Sequence, residues 1–343
     1  MGDLQGDDDL EQRLASWRKE QFKVASQVVV VKDELSEFSR KPFPPKSKRF
    51  QKISLVQNNR SRFYGGVDVS FPEKEGDPAI AYYVVIQEDD LKVVYEDYES
   101  FLLDVPYVSS YLSFREIDPL ERLVRKQQKE MPQFTPEVIF VDGNGILHER
   151  NAGIACFLGV RTGIKTIGVG KTLYCHDGLE KDVVREGVIE LVESLVQEFH
   201  INGADKFTNE QLDEITSISD GMVVAVHPLD AKHVNGSKFV KRNEEVDSLF
   251  GDLAKFCQGF AIPLRGATGV VWGSALVGHG GQVGKSKRGT KNPIFISVGH
   301  NISLLSAVGL CSKLSLTRIP EPVRLADLKG RAHLREIREK QKI

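Results

Sequence analysis

The sequence predicts an α/β protein on a mixed sheet, an antiparallel meander followed by parallel strands, with helices covering the faces. Two observations predict it. Apolar residues recur with a period of two through YGGVDVSF (64–71), AIAYYVVIQ (79–87) and LKVVYEDYES (91–100). Short polar turns join the three, as in a strand meander. Beyond them the pattern changes to short apolar runs alternating with helix signals, the texture of strand–helix–strand units.

Taken in chain order, residues 1 to about 12 read as an acidic lead, followed by a helix-like stretch carrying Leu14, Trp17, Phe22 and Val24. KPFPPKSK, Lys41–Lys48, reads as a basic, proline-rich linker. After the meander, Asp118-Pro119 with Glu121 predicts a helix start, with a cap, a proline in the first turn and a capping acid. That helix carries Leu120, Leu123 and Val124 and stops before Pro132. VIFV (138–141) reads as a buried strand ending in Asp142-Gly143, and residues 151–160 as a helix with Ile154, Phe157 and Leu158 inward. IKTIGVG (164–170), GVVWGSALV (269–277) and IFISVG (294–299) read as further strands, and a helix is expected through Ile302, Leu305 and Val308. Residues 195–250 are polar and weakly periodic, and are expected to form a surface insertion outside the core. The organisation expected is therefore a lead, helix and linker over 1–50, one catalytic domain over 51–325, and a basic tail over 326–343.

Composition bounds the function. The chain has 343 residues, 41% hydrophobic and 27% charged, with a formal net charge of -2, so it can bury a core and lacks the basic excess of a protein coating a polyanion. A local basic channel remains open to it, since steering depends on where charge sits. The cysteines Cys156, Cys175, Cys257 and Cys311 include no CxxC pair, which argues against zinc and against a disulfide framework. No apolar run approaches the roughly 18 residues that span a bilayer, and the N-terminus MGDLQGDDDL has no signal-peptide character. A cytosolic or nuclear protein, without membrane attachment and monomeric, is the expectation.

Several acids interrupt apolar runs. Asp68 sits inside VDVS, sharing a strand face with Gly66 and Ser70 while Val67 and Val69 point the other way. A carboxylate so placed is costly unless a cation or partner meets it. Asp142 projects from the end of VIFV into GNG, and Glu116 ends SYLSFRE. Acids brought from separate elements to one point suit a hard divalent cation, which takes one or two carboxylates together with phosphate oxygens. Spacing alone does not show that they converge. Two look-alikes fail: Gly170-Lys171-Thr172 and Gly284-Lys285-Ser286 each lack the earlier glycine of a phosphate-binding loop, having Lys165 and His279 there.

Five blocks, GGVDVSF, PYVSSYLSFRE, VDGNGILHERNAGIACFLG, GVGKTL and ISVGHNISLLSA, resemble in order those of the endonuclease V family, and RIPEPVR resembles the end of its eukaryotic members. The blocks spread over residues 64–325. The resemblance implies a ribonuclease H-like fold, with Mg2+ (or Mn2+) as cofactor. It implies Asp68, Glu116 and Asp142 as metal ligands and catalytic acids, His300 as a fourth member orienting water or a second metal, and Lys171 at the scissile phosphate. PYVS resembles the family's wedge, so Tyr107 is expected to fill the space left by an extruded base. Ser109 stands where bacterial relatives have a second proline. The base pocket implied is built from Ser110, Leu112, Gly143, Gly145, His148, Gly153 and Ile154, largely through backbone groups. Glycines let those groups approach a base edge closely, and fixed donors and acceptors separate hypoxanthine from adenine. Ser110 replaces a glycine of the bacterial relatives.

The function implied is hydrolysis one nucleotide 3′ of inosine in single-stranded RNA, with deaminated DNA as weaker substrate. The alternatives are an inosine-RNA binding module without turnover and a nuclease of the same fold with other targets. The basic loop GKSKRGTKN (284–292) reads equally as a phosphate contact or a solvated loop, and the tail with Arg331, Arg335 and Arg338 reads first as a solvated helix face and second as an RNA contact.

Overall fold

The computed structural model describes residues 3–32, 50–53, 62–74, 76–189, 222–225, 229–230, 259–278 and 292–340. Its centre is an 11-stranded mixed sheet. The meander is β3 (Phe63–Ser70), β4 (Ala79–Gln87) and β5 (Val93–Phe101), all antiparallel. β6 (Val138–Asp142) pairs parallel to β3 on its other side, and β7 (Lys165–Gly170) pairs parallel to β6. β12 (Ile294–His300) returns antiparallel to β7, and β11 (Val271–Gly278) and β10 (Gly259–Arg265) follow it. β8 (Met222–Ala225) and β2 (Phe50–Ile53) complete that edge, with β9 (Leu229–Asp230) also on β10. A two-residue β1 (Val30–Val31) pairs with β13 (Ile302–Ser303). This is the mixed, ribonuclease H-like architecture that the alternation pattern and the resemblance predict.

Helices cover both faces. On one face, α2 (Ser113–Glu130) and α3 (Ile154–Thr162) close a core with Val67, Val69, Ala81, Ile139 and Val141. α1 (Asp3–Gln27) joins them through Trp17, whose ring stacks on Phe114 at 5.2 Å. Phe114 in turn meets Phe157 edge-on at 5.2 Å. On the other face lie α5 (Leu304–Lys313) and α6 (Glu321–Lys340), packed on Tyr64, Phe140, Val298 and Tyr82. α4 occupies 181–189, and no helix among the described residues is long and apolar enough to cross a membrane.

Four expectations change. α1 begins at Asp3, so the acidic lead is already helical. α2 begins at Ser113, one and a half turns before the anticipated cap, which places Glu116 in its first turn and Pro119 inside the helix. β8 and β9 fall within 195–250 and pair into the sheet, so part of that stretch is not a surface insertion; 190–221, 226–228 and 231–258 lie outside the described residues. The segment from Arg324, expected as a basic helix-like tail, is helical and packed. α6 lies against β3 and β4, with Val323, Ala326, Gly330 and Leu334 buried at helical spacing. The basic loop reaches outside the described residues through position 291.

Candidate active site

The site forms where β3, β6 and β7 end together. Parallel register sets Val67 beside Val141, so Asp68 and Asp142 follow as neighbours on one face. Asp142 pairs in register with Val169, and Lys171 lies two residues beyond on the same side. Lys171 Nζ donates to Asp142 Oδ2 at 2.5 Å. α6 reaches this face because two glycines let it in. A Cβ on Gly66 would fall 2.1 Å from the Pro322 carbonyl, and one on Gly330 would fall 2.7 Å from Ser70 Oγ. The helix is thereby held against β3, and Asp327, one residue past its buried Ala326, faces the acids.

Asp68, Asp142, Lys171, Asp327, Arg331, Arg335 and Arg338 line one cleft of about 600 Å³ with Ser70 and Phe71. Glu116 enters from the other face, buried in the first turn of α2 and close enough for Asp142 to act on it electrostatically. Sequence reading brought Asp68, Glu116, Asp142 and Lys171 to this edge, and the structure gathers all four.

The charges do not balance. Burial, then repulsion from Asp142 and a hydrogen bond shared with it, push the Asp68 carboxyl up to about 8, against the opposing pull of Lys171. Burial and then Asp142 push Glu116 up to about 8 as well. Burial works against the Lys171 ammonium, yet Asp142, Asp327 and Asp68 together raise its pKa. Asp327 also receives Arg331 Nε at Oδ1, 2.7 Å away. Among the described residues no three His, Cys, Asp or Glu side chains are arranged to hold a metal ion together. The donor set nevertheless suits one: hard, crowded carboxylates that keep protons for want of positive charge are what a divalent cation neutralises.

Two residues change the expected set. His300 does not join the acids. It pairs with Thr166 at the start of β7, toward the opposite end of that strand from Lys171. Its Nδ1 accepts from the Val29 amide at 3.3 Å, and burial lowers its pKa. Asn301 N donates to Val29 O at 2.7 Å, so this end of β12 anchors the chain after α1. Asp327 was missed. Its sequence signal was an acid flanking a helical stripe of Val323, Ala326, Gly330 and Leu334, hidden because that stripe relies on Ala and Gly.

Of the residues expected around a base, Gly143, Gly145, His148 and Gly153 lie in the 143–153 turn, Ile154 follows it and Ser110 meets it through His148 and Arg150, whereas Leu112 lines another cavity with Tyr107 and Arg115. Gly143 has φ +142, which favours glycine, and a Cβ there would lie 2.6 Å from Ile154 Cγ2. Gly145 and Gly153 pack on the carbonyls of Val298 and Asn144 at distances no side chain tolerates. Gly145 N donates to Ser297 Oγ at 2.8 Å, and Gly153 N to Gly145 O at 2.9 Å, so these groups brace the turn itself. His148 is buried; its Nε2 lies 3.0 Å from Ser110 O, and Nδ1 accepts from Arg150 N at 3.2 Å. Burial and then Arg150 lower its pKa to about 4, keeping it neutral. Ser110 has φ +68, a conformation that explains glycine at this place in bacterial relatives. Leu112 immediately precedes α2. Tyr107 is 70% exposed, free to enter a stack, with the Arg115 guanidinium 5.8 Å from its ring.

The family model described as Endonuclease V matches residues 47–227 and 269–328, well over half of the chain. The chain belongs to the endonuclease V family. Endonuclease V of Mus musculus is 33% identical over 325 residues, covering 95% of this chain and 70% of the relative. The solved catalytic domain of human endonuclease V is 30% identical, with a TM-score of 0.61, covering 95% of this chain and 97% of that one. A Ciona intestinalis endonuclease V, solved with a 23mer DNA containing an inosine followed by a ribo-adenosine, shares the fold at 22% identity and a TM-score of 0.61, covering 95% and 98%. The acidic edge lies wholly within the segments matched to the endonuclease V model, apart from the arginines past residue 328.

Proposed function

We propose that the protein is a Mg2+-dependent endonuclease that hydrolyses the phosphodiester one nucleotide 3′ of inosine in single-stranded RNA, and more slowly in deaminated DNA. The observation that carries this reading is the convergence of Asp68, Asp142, Glu116 and Asp327 with Lys171 beside the glycine turn 143–153. The inosine in the DNA bound to the Ciona relative supports the base class, and the ribose that follows it supports RNA. Free thiols at Cys156, Cys175 and Cys311 suit a reducing compartment, cytosol or nucleus.

Asp68 and Asp142, with Glu116 or Asp327, would hold the cation. When bound, it polarises the scissile phosphate and lowers the pKa of a coordinated water. Lys171 exchanges Asp142 for a phosphate oxygen and balances the negative charge that builds up there. Asp68 keeps its proton up to about 8 for want of positive charge, so it would serve as a ligand with a cation in place of that proton, and the proton lost by the attacking water ends on the O3′ leaving group through solvent. The P–O3′ bond breaks, leaving a 3′-hydroxyl on one fragment and a 5′-phosphate on the other. Tyr107 fills the gap left by the extruded base, while Ser110, Leu112, Gly143, Gly145, His148, Gly153 and Ile154 surround it.

The test is cleavage of paired single-stranded RNAs that differ only by inosine for adenosine, with and without Mg2+, for wild type and Asp68→Ala. Cleavage needing inosine, cation and Asp68 together is the expected result. Binding of the inosine strand without cleavage, under Mg2+ or Mn2+, would instead mark a reader that has lost turnover.

A further inference from the structure

Gln21 on α1 is fully buried and polar, which demands partners. It finds them all on the far segment 148–152. Its Nε2 donates to Ala152 O at 2.6 Å and lies 3.4 Å from His148 Nδ1. Its Oε1 accepts from Arg150 Nε at 2.5 Å. Arg150 Nη2 donates to the Ser110 carbonyl at 2.8 Å and to its Oγ at 2.7 Å, Nη1 pairs with the Glu149 carboxylate, and the guanidinium lies 4.0 Å over the Tyr111 ring. His148 reaches the same Ser110 carbonyl. One amide therefore fixes two side chains that together hold Ser110 at φ +68.

We infer that Gln21 is a positioning residue for base recognition, acting through Arg150 and His148 on Ser110. The inference rests on the base pocket proposed above. α1 precedes residue 47, where the family-model match begins, so the determinant lies outside the matched segments. The logic is that of a support shell: a side chain touching a ligand is only as well placed as the groups that lock its rotamer. A leucine at position 21 fills similar volume but leaves Arg150 Nε and Ala152 O without this partner. A glutamate keeps the acceptor for Arg150 and gives up the donor to Ala152. None of these groups touches the acids of the catalytic edge, so the chemical step is left intact.

The experiment is steady-state cleavage of matched RNAs carrying inosine or guanosine by wild type, Gln21→Leu and Gln21→Glu, with thermal melting of each. Gln21→Leu is expected to raise KM for the inosine strand roughly tenfold, as loss of a charged-group hydrogen bond implies. Its kcat should stay within about twofold, and its preference for inosine over guanosine should fall. Gln21→Glu is expected to recover most of that loss, because it restores the contact to Arg150. A Gln21→Leu protein with unaltered KM and inosine preference would overturn the inference and leave α1 a packing element. If Gln21→Leu does not fold, Gln21→Met takes its place: a raised KM with lost inosine preference in the folded protein supports the assignment, and wild-type KM and preference overturn it. Absence of inosine preference in the wild type would instead bring down the functional reading beneath it.

Discussion

The catalytic edge and the 143–153 turn stand side by side and are built on opposite electrostatic terms. At the edge, Asp68 and Glu116 are pushed up to about 8 because buried carboxylates outnumber the cations that meet them. In the turn, His148 is held neutral, and Gly145, Gly153, Ser110 and Arg150 have hydrogen-bond partners inside the protein. A half-satisfied polar network destabilises a fold, whereas a satisfied one makes it rigid. The difference assigns tasks. On the function proposed, the edge would store an electrostatic deficit that a cation and a phosphate resolve on binding, while the turn is largely shaped beforehand, with Asn144 Oδ1 its buried side-chain atom left without a partner.

The largest expected effect breaks the edge. Asp68→Ala should lower the cleavage rate on the order of a thousandfold or more. In the absence of cation it should also raise the melting temperature, since it removes one of the repelling carboxylates. A drop in both would show that Asp68 is there for folding. Lys171→Ala should come next, reducing kcat by about a hundredfold with little change in KM, as for a group that acts on developing charge. A change confined to KM would move Lys171 from chemistry to binding.

The pH dependence sharpens the comparison without mutation. Folded Asp68 and Glu116 keep their protons up to about 8, while unfolded carboxylates lose theirs near 4. Between those values the folded state binds more protons, so cation-free stability should fall as pH rises from about 4 to about 8. Mg2+ replaces the missing charge, so its stabilising increment should be larger at pH 8 than at pH 5.5 by thermal melting. An increment independent of pH would detach the cation from these two acids. His148 works in the opposite sense: neutral when folded down to about 4 but protonated in the unfolded chain below 6.5, it adds stability as pH rises between those values, and the two acids outweigh it.

The meander and the acids at strand ends were legible because period-two alternation is a strong signal and an acid inside an apolar run stands out against it. The parallel register that sets Asp68 beside Asp142 was not, for pairing between distant strands leaves no local trace. α6 was legible as a basic helix-like tail, but its packing on β3 was hidden for a related reason. The close approach that brings Asp327 to the site requires Ala326 and Gly330, and small residues add little to a hydrophobic stripe. β10 carries Pro263, which pairs with Ser274 of β11 on one side and falls between the β8 and β9 registers on the other, where its missing N–H costs no ladder bond. Gln21 had no signal at all, since a buried amide on a charged helix looks like any surface glutamine. His300 misled by its position in the motif SVGHN, where the structure gives it the work of anchoring Val29.

Those last differences define the most direct test, single-turnover cleavage of an inosine-containing RNA in Mg2+ by Asp327→Asn and His300→Ala, side by side. The architecture predicts that Asp327→Asn loses at least about a hundredfold in rate, while His300→Ala stays within a few fold and melts somewhat earlier. An active Asp327→Asn protein beside an inactive but folded His300→Ala protein would contradict the assignment of the catalytic edge.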